Sequence, residues 1–136
     1  MTVFVLDAST AVAWALEDER TPRAVQTLFG LRAEDQARVP ALWWFEVRNA
    51  LVVNERRGRL TEADTADFLR GLARLPIGAD RSPDETGVLT LARRHRLTVY
   101  DAAYLELAQR EGLPLACLDG ALRNAAAVSG VPLFGG

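Results

Sequence analysis

The chain has 136 residues, 49% of them hydrophobic and 25% charged, with a net charge of −2. That length supports one domain with a real core, and the near-neutral charge does not announce a nucleic-acid binder. A single cysteine excludes an intramolecular disulfide, and with all 16 basic residues arginine and no lysine, mechanisms built on a catalytic lysine are excluded.

In chain order, the apolar run Val3-Phe4-Val5-Leu6 predicts a first strand over 2–6. Asp7 closes it, and Ser9 is the expected N-cap of a helix over 10–17. Thr21-Pro22 opens a second helix to about 31, because proline suits a first helical turn. A weak strand over 37–40 leads into a long helix over 41–57 that Gly58 ends. A helix over 61–73 and a strand over 75–79 follow. Ser82-Pro83-Asp84-Glu85 has the form of a capping box and predicts a helix to 95. The remaining elements are a helix over 101–110 with Gly112 just past its end, a strand over 113–118, a helix over 119–128 and an edge strand over 131–134. Short apolar strands alternating with helices predict a single α/β domain over 1–136, a three-layer sandwich with a central, mostly parallel sheet flanked by helices. In such sheets ligands bind at the carboxyl ends of the strands, where Asp7 and Asp119 fall.

Four acids are attached to apolar segments. Asp7 ends the first strand, and Glu46 interrupts Leu42-Trp43-Trp44-Phe45-Glu46-Val47. Asp101 follows Leu97-Thr98-Val99-Tyr100, and Asp119 follows Pro114-Leu115-Ala116-Cys117-Leu118. A buried carboxylate is costly unless paired or bound to metal, and converging carboxylates repel one another, so a divalent cation is their natural partner. Each acid also has a structural reading: Asp7 as a turn residue, Asp101 and Asp119 as N-caps, Glu46 as a surface residue. On a helix, Glu46 shares a face with Leu42, Asn49, Ala50 and Val53, and the neighbouring face of Trp43, Val47 and Leu51 is apolar too. Little of this helix is therefore expected to be solvated. Asp101 shares a face with Tyr104, Leu105 and Ala108. The only histidine, His95, lies in Arg93-Arg94-His95-Arg96, which argues against a His triad or a multi-His zinc site. Cys117 reads as a small core residue.

The segments Val5-Leu6-Asp7-Ala8-Ser9, the Glu46 helix, Val99-Tyr100-Asp101-Ala102-Ala103-Tyr104-Leu105 and Leu118-Asp119-Gly120-Ala121-Leu122 occur in that order. Together they resemble the PIN-domain ribonucleases, and among them the VapC-like toxins of bacterial toxin–antitoxin pairs. The resemblance covers essentially the whole chain. It implies a PIN-like fold with Asp7, Glu46, Asp101 and Asp119 as an acidic Mg²⁺ or Mn²⁺ site and RNA as substrate. It also implies cuts that leave a 5′-phosphate and a 3′-hydroxyl, a cognate antitoxin partner and a homodimer. The family often carries Thr or Ser two residues before the last Asp, and this chain has Cys117 there.

The expected principal ligands are Asp7 and Asp101, with Glu46 and Asp119 completing the site, holding a second metal or orienting water. Ser9 is expected to support a ligand carboxylate or the scissile phosphate. Phosphate contacts would fall to arginine, with Arg48, Arg56, Arg57 and Arg59 near the Glu46 helix and Arg93, Arg94 and Arg96 at the end of another, each read equally well as a solvated helix end. Trp14, Trp43, Trp44 and Phe45 are more aromatic surface than one small helix layer needs; core packing is the majority reading, and the resemblance implies that part of it takes an antitoxin helix and the rest a dimer contact. The rivals are a metal-dependent phosphatase on small molecules and a non-catalytic PIN-like binding module. A flap-endonuclease-type DNA nuclease needs a longer chain. No segment approaches the roughly 20 apolar residues that span a membrane, and the N-terminus has no basic n-region, so a cytoplasmic protein is expected.

Overall fold

The computed structural model describes residues 1–135. Among them are four strands and seven α-helices: β1 (Val3–Leu6), α1 (Ala8–Ala13), α2 (Pro22–Ala33), β2 (Gln36–Pro40), α3 (Leu42–Arg56), α4 (Glu62–Leu72), β3 (Ile77–Asp80), α5 (Glu85–His95), α6 (Val99–Glu111), β4 (Leu115–Ala116) and α7 (Gly120–Val128). The sheet order is β3-β2-β1-β4 and every pairing is parallel. The strands are short; β1 and β4 are wholly apolar, as burial on both faces of a parallel sheet requires, while β2 and β3 on the other side carry Gln36, Arg38 and Asp80. Helices flank the sheet, with α6 packed on β1 and β2. Phe4, Leu6, Leu51, Tyr104, Leu105 and Leu115 are among the largest fully buried side chains. Among the described residues, no helix is long and apolar enough to cross a membrane.

Several boundaries differ from the sequence expectation, each for a local reason. The cap of α1 is Asp7, whose Oδ1 accepts from the Thr10 amide at 3.0 Å, so the helix starts at Ala8 and Ser9 lies inside it. It ends before Trp14, whose indole Nε1 donates to the Ala24 carbonyl at 2.7 Å. Glu17, Asp18 and Glu19 form only a 3₁₀ turn. Three acids at a helix C-terminus would oppose the helix dipole. Asp84, not Ser82, caps α5, accepting from the Gly87 amide at 3.0 Å.

Thr98 caps α6, its Oγ1 accepting from the Asp101 amide at 3.1 Å. This draws Val99 and Tyr100 into the first helical turn, where both are exposed, so the apolar run before Asp101 is not a core segment. β4 is only two residues long, and the expected edge strand over 131–134 is reduced to one bridge between Leu115 and Leu133. Phe134 is nevertheless anchored, stacked on Phe4 with ring centroids 4.1 Å apart.

Helix α3 departs furthest. Its buried stripe is Trp43, Val47, Leu51 and Asn54, while Trp44 and Phe45 are 53% and 69% exposed. The expectation of a nearly unsolvated helix is therefore overturned.

Candidate active site

Asp7 stands at the carboxyl end of β1 and is buried. Its Oδ1 accepts from the Thr10 amide, from the Thr10 hydroxyl at 2.9 Å and from the Ser9 hydroxyl at 2.9 Å. Its Oδ2 accepts, among the described residues, only from the Ser9 hydroxyl, at 2.8 Å. Burial pushes the Asp7 carboxyl up to about 6, against the downward pull of these hydrogen bonds and with a further upward push from Asp101.

Glu46 is half-buried on the second turn of α3, and the Tyr104 hydroxyl donates to its Oε1 at 2.5 Å. Burial raises its pKa, the Tyr104 bond lowers it and Asp101 raises it. Asp101 is half-buried in the first turn of α6, and its pKa is raised by burial and by Asp119. Asp119 caps α7 through a 2.9 Å bond from the Leu122 amide to Oδ2 and is exposed.

The expectation of four acids fixed to core segments holds in full only for Asp7. Electrostatically, though, the four form one group. Asp101 is the hub, since its charge acts on both Asp7 and Glu46 and the charge of Asp119 acts on it. Three of the four lie at helix N-termini: Asp7 and Asp119 as caps, Asp101 in a first turn. Helix N-termini carry partial positive charge and favour carboxylates there.

The donor set is all oxygen, which suits Mg²⁺ or Mn²⁺. The arrangement is more open than a closed cage: among the described residues, no three His, Cys, Asp or Glu side chains are grouped to hold a metal ion directly. Mg²⁺ accepts such a site, because it keeps several waters and binds through one or two carboxylates together with substrate phosphates. Asp7, whose carboxylate is held by Ser9 and Thr10, and Asp101 fit that description in chemistry.

Cys117 is buried, and burial followed by the charge of Asp7 pushes its thiol up to about 12, so it is an inert core residue as expected. Of the arginines, Arg59 is bound to Asp18 at 2.7 Å, and Arg48 lies over the Trp44 ring, 3.9 Å from its centroid. Arg93, Arg94 and Arg96 are exposed at the corner joining α5 to α6, near Asp101 in the chain.

Sequence reasoning missed two residues that touch the acids, Thr10 and Tyr104. A signal for the second existed. Tyr104 lies one helical turn after Asp101, and a buried Tyr hydroxyl needs a partner.

The PIN domain model matches residues 4–128 of the chain. The chain belongs to the PIN-domain family. This PIN domain is 35% identical over 122 residues to Ribonuclease VapC3 of Pyrobaculum aerophilum, a match that covers 85% of this chain and 88% of that protein. Its fold is similar to the crystal structure of PAE2754 from Pyrobaculum aerophilum, with a TM-score of 0.72 and 24% identity over 91% of this chain and 84% of that one. It is also similar to a toxin–antitoxin complex from Klebsiella pneumoniae, with a TM-score of 0.59 and 17% identity over 94% of each chain. The resemblance read from the four ordered motifs is thus borne out at the level of the PIN domain.

Proposed function

We propose that this PIN-domain protein is a metal-dependent endoribonuclease acting as the toxin of a toxin–antitoxin pair. The observation that carries the proposal is a PIN domain over residues 4–128 in which Asp7 is buried at the carboxyl end of β1 and Glu46 is hydrogen-bonded to Tyr104 on the helix that carries Asp101. The 35% identity to a protein named Ribonuclease VapC3 supports ribonuclease activity. The similarity to a toxin–antitoxin complex supports an antitoxin partner.

Asp7 and Asp101 are the residues that would hold Mg²⁺ or Mn²⁺, directly or through water, with Glu46 and Asp119 completing the site. Bound there, the cation supplies an acidified water and a Lewis acid for the phosphoryl oxygens. Ser9 holds the Asp7 carboxylate through both oxygens and so fixes its plane. Glu46 keeps Oε2 free of protein donors among the described residues. That oxygen orients the attacking water and accepts its proton, and burial, by raising the pKa of Glu46, makes it a better acceptor. Asp119, exposed at the rim, faces incoming substrate. Water attack at phosphorus with cleavage of the P–O3′ bond, the departing 3′-oxygen taking a proton from solvent, would leave a 5′-phosphate and a 3′-hydroxyl. Arg93, Arg94 and Arg96 supply the cationic rim for the RNA backbone, since guanidinium groups clamp phosphates bidentately. The exposed Trp44 and Phe45 take part of an antitoxin helix, with a homodimer contact elsewhere on the surface.

The test is cleavage of total RNA by the purified protein with Mg²⁺, with Mn²⁺ and with EDTA, beside Asp7→Ala. Cutting that requires both metal and Asp7 is expected. A folded, metal-binding protein that cuts no RNA would shift the reading to a small-molecule phosphatase, and one that binds no metal to a binding module.

A further inference from the structure

The hydroxyl of Tyr104 does more than satisfy a core position. The side chain is 1% exposed, and its hydroxyl bonds to Oε1 of Glu46, 58 residues earlier in sequence and on another helix. We propose that Tyr104 is the positioning residue for Glu46, fixing Oε1 to the core so that Oε2 is the oxygen presented to the cation and its water. This rests on the nuclease reading above.

Three observations support it. First, Glu46 needs holding. It is only half-buried, the charge of Asp101 repels it, and water beyond α3 would solvate it better. Left alone, a flexible glutamate swings outward, and no other protein donor holds it among the described residues. Second, the anchor is rigid. Tyr104 lies on α6 one turn after Asp101 and packs with Leu105 and Leu107 in the core, so the bond references the acid of α3 to the helix that carries the hub acid. Third, Asp7 is likewise oriented by hydroxyls: Thr10 and Ser9 donate to its Oδ1, and Ser9 also donates to its Oδ2. Each of the two acids is thus aimed by a hydroxyl of the fold. Outer partners of this kind set ligand orientation, and losing one typically costs 10- to 100-fold in metal affinity.

The experiment is Mn²⁺ titration of the RNA-free protein by calorimetry for wild type, Tyr104→Phe, Glu46→Gln and the double variant, with thermal unfolding of each. Phenylalanine keeps the ring and deletes only the hydroxyl. Tyr104→Phe is expected to weaken Mn²⁺ binding about tenfold with its metal-free melting temperature close to wild type. In the Glu46→Gln background the same change is expected to add less than about twofold, because the two act as a unit. Should Tyr104→Phe fold poorly, Glu46→Asp tests the same bond from the exposed side. It withdraws the carboxylate from the hydroxyl without touching the core and is expected to show the same loss. Wild-type Mn²⁺ affinity in Tyr104→Phe, or an equal loss in both backgrounds, overturns the positioning role. Asp7→Asn separates the two levels. If it abolishes binding while Tyr104→Phe binds like wild type, positioning alone fails, and if the wild type binds no Mn²⁺, both fail.

Discussion

The Ser9 hydroxyl bridges both carboxylate oxygens of Asp7, at 2.9 and 2.8 Å. Because Asp7 and not Ser9 caps α1, this contact is free of any duty to the helix. Ser9→Ala should therefore keep α1 intact. It removes one hydrogen bond to a buried carboxylate, worth about 1.5 to 3 kcal/mol, so a modest drop in melting temperature is expected. If Asp7 holds the cation as proposed, RNA cleavage should fall about tenfold, the typical cost of losing the outer partner of a metal ligand. Cleavage unchanged in a folded Ser9→Ala protein would reduce Ser9 to a bystander.

The pH dependence of stability follows from Asp7. Its carboxyl titrates at about 6 in the folded chain against an ordinary 3.8. Between those values the folded state binds more protons than the unfolded one, so stability falls as pH rises. The contribution is fully present below about pH 4 and gone above about pH 6. The gap corresponds to about 3 kcal/mol. Glu46 and Asp101 shift in the same direction. Asp7→Asn keeps a cap oxygen but carries no charge, so without metal it should gain on wild type as pH rises from 4 to 7. Saturating Mg²⁺ should erase that gain by stabilising the wild-type carboxylate. Unfolding curves for both proteins across this range decide it, and a difference that stays constant with pH would remove Asp7 as a buried titrating group.

Much of this architecture was legible because local chemistry and fold agree. The Thr21-Pro22 start, the long helix that Gly58 ends and the Thr61 cap place α2, α3 and α4 close to their expected bounds, whereas α1 ends earlier and β4 is shorter than expected. The site was legible where an acid ends a strand, as Asp7 does, because sheet topology places it. Glu46 was harder. The residues before it, Leu42 to Phe45, lie 100° apart around a helix, so four bulky neighbours cannot all face one core. Sequence counts them as apolar, but geometry turns Trp44 and Phe45 to solvent. The bond from Tyr104 to Glu46 was invisible, because a hydroxyl's partner is decided by how two distant helices pack. Asp101 is less buried than its apolar run implies because Thr98, a polar residue in that run, caps α6 and draws Val99 and Tyr100 into an exposed first turn.

Arg110 holds two buried acids, Asp80 at 2.7 Å and Glu106 at 2.8 Å, and Glu106 also accepts from the Asp84 amide. This ties the end of β3 and the start of α5 to α6, the helix that carries Asp101 and Tyr104. Arg110→Ala would leave two carboxylates buried side by side, with Arg38 only 3.9 Å from Asp80 as relief. Breaking a buried pair from one side costs about 3 to 5 kcal/mol. Chemical denaturation should show that loss at neutral pH. A loss below about 1 kcal/mol would mean the acids escape to water instead.

The exposed aromatic face of α3 yields the last prediction. Trp44 and Phe45 pack edge-to-face at 5.0 Å, and Arg48 covers the Trp44 ring. Together they form an ordered apolar and cationic platform on the surface. Exposed aromatics of this kind are unfavourable in water, and Trp and Arg are the usual anchors of protein interfaces. Trp44→Ser with Phe45→Ser should leave the fold within about 0.5 kcal/mol of wild type, because neither side chain belongs to the buried stripe. Under the proposed toxin role, the same pair should weaken binding of an antitoxin at least about tenfold and leave RNA cleavage by the free protein unchanged. Titration of the antitoxin's toxin-binding segment against wild type and the double variant, with cleavage assayed in parallel, checks both halves. Undiminished antitoxin binding would move the interface off α3. Lost cleavage with binding intact would assign the platform to RNA, since aromatic faces and guanidinium planes also stack on unpaired bases.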